Sequence, residues 1–92
     1  MKSAYELAME RLEAASPGVS LTGAQKERLA AIDAKATADI AAKELLLRGE
    51  IAKAESAGQP DEVEKIRRQL ADEVRRINER RDREKDAVRS GG

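Results

Sequence analysis

The sequence predicts an all-α protein: a long antiparallel two-helix hairpin of coiled-coil-like type, preceded by a short N-terminal helix. Three observations carry that reading. Residues 22–57 and 60–89 are rich in Ala, Leu, Lys, Glu and Arg, the strong helix formers, and no Pro interrupts either stretch. Only Gly58 and Gln59 lie between them, a break so short that the second helix must fold back on the first. The apolar residues on both sides of the break recur with one shared eleven-residue period.

The first element is expected over residues 3–15. Ser3 and Glu6 have the spacing of a capping box, in which hydroxyl and carboxylate each accept an end N–H. Tyr5, Ala8, Met9, Leu12 and Ala15 follow at helical spacing. Pro17 pushes its predecessor out of the α region, so Ser16-Pro17-Gly18 ends the helix and residues 16–21 form a linker.

Thr22 and Gln25 repeat the capping-box spacing and open a helix over residues 22–57. Gly58 is suited to the left-handed conformation that closes a helix, and the turn occupies residues 58–60. Pro60, with Asp61 and Glu64 behind it, starts the last helix, which runs to residue 89 and leaves 90–92 as a frayed tail. All of this makes one helical domain.

The hairpin seam follows from the period. In the first long helix Leu29, Ile32, Ala36, Ile40, Leu47, Ile51 and Ala54 advance in steps of 3, 4 and 4, with Lys43 in the one polar slot. Val63, Ile66, Leu70, Val74, Ile77 and Val88 keep the same steps in the second, with Arg81 and Lys85 in its polar slots. An eleven-residue repeat corresponds to about 3.67 residues per turn, which predicts a nearly straight or weakly right-handed pair. If the turn centres on Gln59, Leu47 faces Leu70, Ile40 faces Ile77, and Leu29 with Ile32 faces Val88. Asp33 then falls opposite Lys85.

Composition narrows function mainly by exclusion. Eighteen basic residues balance eighteen acidic ones, so no net field steers the chain toward nucleic acid or acidic membranes. With neither Cys nor His, the usual nucleophile triads and zinc sites are ruled out. Glu6, Glu10 and Glu13 share a helix face but lack the loop that wraps a hard cation, and they read as a solvated acidic face. No enzyme activity, cofactor, metal or small-molecule substrate is expected. No apolar run approaches the roughly 20 residues of a membrane span, and Met1-Lys2-Ser3 opens no apolar signal core, so the expected location is cytoplasmic.

The positive expectation is a non-enzymatic interaction or scaffolding protein that self-associates or docks on a larger assembly. Leu45, Leu46 and Leu47 point in three directions about 100° apart, and only Leu47 fits the seam. Leu45 and Leu46 then join Ala38, Ala42 and Gly49 on a second face, to which Tyr5, Met9 and Leu12 of the short helix add apolar surface. A homodimer packed as a four-helix bundle would cover it. An alternative is nucleic-acid association through the Arg-rich stretch 67–89, although its nine basic residues are interleaved with six acids and no aromatic. Six acid-first pairs at i, i+4 are expected to neutralise the helices: Asp39 with Lys43, Glu44 with Arg48, Asp61 with Lys65, Glu64 with Arg68, Asp72 with Arg76 and Glu79 with Arg83. The ending Ser90-Gly91-Gly92 resembles the conjugation tail of ubiquitin-like modifiers, which would imply a modifier joined through Gly92. It lacks the final Gln or Glu through which the prokaryotic type is linked.

The seam itself is open to test. Ile40→Asp, facing Ile77, should destabilise the fold by several kcal/mol, of which about 1.5–3 kcal/mol is lost apolar burial and the rest an unpaired charge. A thermal melt superimposable on that of the parent would show the register to be wrong.

Overall fold

The computed structural model describes residues 3–7 and 21–91, and within them the architecture is a helical hairpin. Residues 4–7 are helical. The Ser3 hydroxyl accepts the Glu6 N–H at 3.1 Å there. The rest of the expected first helix, with Met9, Leu12, Glu10 and Glu13, lies outside the described residues, as do most of the linker and Gly92.

Helix α1 spans Gly23–Ser56 and helix α2 spans Pro60–Arg89. At 1.5 Å per residue they are about 51 and 45 Å long. The start of α1 is a complete capping box. Thr22 Oγ1 accepts the Gln25 N–H at 3.0 Å, and Gln25 Oε1 accepts the Thr22 N–H at 2.8 Å. Two N–H groups that the helix itself cannot satisfy thereby gain partners.

The reversal is a Schellman motif built on Gly58, whose φ of 68° lies in the region that only glycine enters without strain. Its N–H donates to the Glu55 carbonyl at 3.1 Å, and the next N–H, of Gln59, reaches back to the Ala54 carbonyl at 3.0 Å. Pro60 is the first residue of α2, where its missing N–H costs nothing. Gln59 gives no side-chain cap; Asp61 and Glu62 in the first turn supply negative charge to the positive end of the helix instead. At the far end Ser90 and Gly91, assigned from sequence to a frayed tail, continue the hydrogen bonding. Ser90 N–H donates to Asp86 O at 2.9 Å and Gly91 N–H to Val88 O at 3.1 Å.

The two helices pack along a single seam. Near the turn Leu47, Ile51, Ala54 and Ile66 form a buried cluster, with Val63 and Leu70 packed against it. Toward the open end the buried positions are Ala36, Ile77 and Val88. Leu29, Ile32, Ile40 and Val74 are half-buried on the same line. Nothing lies deeper than one layer of side chains, which is what two helices alone can enclose.

The contrast within the Leu triplet gives a stability prediction. Leu47 is 3% exposed and Leu45 is 80% exposed. Leu47→Ala should therefore lower the unfolding free energy by about 2–5 kcal/mol. Leu45→Ala, in a dilute sample, should change it by no more than about 0.5 kcal/mol. Urea melts of the two variants that shifted equally would contradict this packing.

Candidate interaction surface

Polar side chains border the seam and fix how the hairpin presents its outer faces. Lys85 lies in one of the polar slots, its stem along the seam and its Nζ on both oxygens of Asp33, at 2.9 and 3.0 Å. Lys43, in another, reaches Glu73 at 3.4 Å. Arg80 meets Asp39 at 3.7 Å and Arg67 meets Glu55 at 3.5 Å. Along α1 the order of these charges is minus, minus, plus, minus; along α2 it is the complement. A slide by one turn would set like charge against like.

Most of the expected pairs along single helices do not form. Among the described residues only Glu44 with Arg48, at 3.3 Å, takes its i, i+4 partner from that set. Asp39 and Lys43 instead pair across the hairpin, because the facing helix brings an opposite charge as close as the next turn does. On α2, Arg75 draws in both Asp72, at 3.1 Å, and Glu79, at 3.9 Å. Arg81 turns to Asp82 and Arg89 to Asp86. The arginines of the Arg-rich stretch are thus largely met by carboxylates. These exposed pairs contribute only ~0.2–1 kcal/mol each, so their value lies in register more than in stability.

One contact was not legible in the sequence. The side-chain amide of Gln25 uses its oxygen for the cap and its nitrogen for the Val88 carbonyl, 3.0 Å away on α2. It clasps the open end of the hairpin over Val88, which is 1% exposed. The capping role is visible in Thr22-x-x-Gln25; the second role depends on which residue of α2 arrives there.

Opposite the seam, α1 carries a face free of charge from Ala31 to Ala52. Ala38, Ala42, Leu45 and Gly49 are exposed there, together with Ala34 and Ala41. Leu46, 58% exposed, extends the face around one flank. So the structure brings five of the residues assigned to the partner face, Ala38, Ala42, Leu45, Leu46 and Gly49, onto one side of one helix. Tyr5 is 74% exposed on residues 3–7. Ala52 belongs to the face as well, and with it a spacing emerges that the sequence reading passed over: Ala31, Ala38, Leu45 and Ala52 are seven apart. The outer face of α2 is different in kind, occupied by Lys65, Arg68, Asp72, Arg76 and Glu79.

Among the described residues no group of three or more acidic side chains is placed to hold a metal ion. The depressions along the molecule are open furrows, such as the one bordered by Ile32, Ala36, Asp39, Ile77, Arg80 and Glu84. No described helix is long and apolar enough to cross a membrane. No family model, curated protein or solved structure matches the chain.

Gly49 reports on this face. A Cβ built there meets no atom within 4 Å. Gly49→Ala should therefore stabilise the isolated hairpin by about 1 kcal/mol through helix propensity alone. A lower melting temperature for the dilute variant would mean that Gly49 serves the fold of the single chain.

Proposed function

We propose that this chain is a non-enzymatic helical interaction or scaffolding module whose working surface is the outer face of α1. The observation that supports the reading is the uncharged face from Ala31 to Ala52, with Leu45 at 80% exposure near its middle. In a chain that is 39% charged, a strip of that length without a charge is costly to leave facing water. Such surfaces mark places where another apolar surface lands. The hairpin supplies the support: its turn and its open end are capped and complementary charges across the seam match one register.

Affinity purification from the native cell, run side by side for the parent and for Leu45→Glu/Leu46→Glu, tests this. Both leucines are exposed, so the variant should keep its helical melt while losing the proteins that copurify with the parent. An identical set of proteins on both baits would remove the outer face from any role in binding.

A further inference from the structure

The charges that border the outer face of α1 indicate what covers it. We propose that the occupant is a second copy of this chain, its α1 lying antiparallel on the first with the two-fold axis passing between Leu45 and Leu46. The inference rests on the reading of this face as the working surface.

Three features of the face agree on that partner and register. The first is period: Ala38, Leu45 and Ala52, the part of the stripe that this register covers, repeat every seven residues, whereas the seam repeats every eleven. A seven-residue stripe matches another helix of the same repeat, wound with the opposite twist from the seam pair. The second is size. With the axis between Leu45 and Leu46, the four leucines of two copies meet at the centre, and Ala42 of one copy lies over Gly49 of the other, where the missing Cβ lets the helices approach. An interface related by a two-fold axis must be self-complementary in this way.

The third is charge. Antiparallel pairing brings like edges of the two helices together. On one edge Glu44 then faces Arg48 of the second copy, and Arg48 faces Glu44. The 3.3 Å pair within each chain becomes a ring of four alternating charges. On the other edge Lys53 of the second copy comes level with the stretch between Lys35 and Asp39, about 1.5 Å along the axis from Asp39 and about 4.5 Å from Lys35, and Lys53 makes no ion pair within its own chain among the described residues. Parallel pairing would instead set Leu46 against the Glu44–Arg48 edge, an apolar side chain against charge. The two α2 helices stay outermost, which suits their charged outer faces. In this register the uncharged strips of the two copies overlap from residue 39 to residue 52, about 20 Å, which is less than a standard stable interface buries, so the dimer should be weak and concentration-dependent.

The chain contains no Cys, so single introduced thiols report geometry cleanly. Disulfide formation requires Cα atoms within about 7 Å. In this register Ala38 lies beside Ala52 of the second copy but about 22 Å from the other Ala38. An oxidised mixture of Ala38→Cys and Ala52→Cys should give the mixed dimer, and Ala38→Cys alone should give none. Sedimentation equilibrium of the parent over a wide concentration range should show monomer and dimer, and Leu45→Glu/Leu46→Glu should weaken the dimer at least about a hundredfold while keeping the helical melt. Self-crosslinking of Ala38→Cys would overturn the antiparallel register, and a dimer indifferent to the double Glu variant would overturn the face. A parent monomeric throughout would overturn the second copy as occupant. If that monomer still lost its cellular partners on Leu45→Glu/Leu46→Glu, the face would remain the working surface and only its assignment to a second copy would fall.

Discussion

Everything in this molecule hangs on a seam one side chain wide. Two helices touching along one line have no interior in which to hide an error, so each position on that line is either apolar or a long polar chain that can lie along the groove and carry its charge out. Ala36, Leu47, Ile51, Ala54, Ile66, Ile77 and Val88 fill the apolar positions and are buried. Lys85 and Lys43 take the second course and end on acids of the other helix. The eleven-residue period keeps the apolar positions on one line along each helix, because it lies close to the natural turn of a straight α-helix. A heptad seam on the same chain would drift round the helix within a few turns.

Such a seam tolerates sliding in a way that a thick core does not, since one aliphatic contact resembles the next. The molecule resists sliding with features that act only at one place. Gly58 fixes the reversal at a single residue, the order of signs from Asp33 to Glu55 matches one alignment, and the Gln25 amide finds one carbonyl. Each contributes little energy alone. Together they select one alignment among several of nearly equal apolar burial.

The fold was legible where chemistry is local or periodic. Thr22 with Gln25, Gly58 and Pro60 announce helix ends through atoms within a few residues of one another, and the observed bounds, Gly23–Ser56 and Pro60–Arg89, fall within a residue of those read from the chain. Asp33 and Lys85 were found by counting outward from the turn. Ion-pair choice was not legible, because Asp39, Lys43 and Asp72 each have several partners within reach and differences of a few tenths of a kcal/mol decide among them. The outer face was legible as a face, since Leu45 and Leu46 have no complement within the hairpin. The seven-residue spacing that includes Ala52 was missed because alanine serves equally as a helix former and as a contact residue.

The Gln25 clasp has a mechanical consequence. Because the hairpin turns back on itself, Leu21 and Ser90 lie at the same end, and a pull applied between them opens the molecule like a zipper, loading one rung at a time. The first rung to take the load is the hydrogen bond from the Gln25 amide to Val88. A load applied between the Gly58 turn and the open end would instead be shared by the whole length of both helices. The hairpin is therefore stiff along its axis and weak to peeling at one defined place.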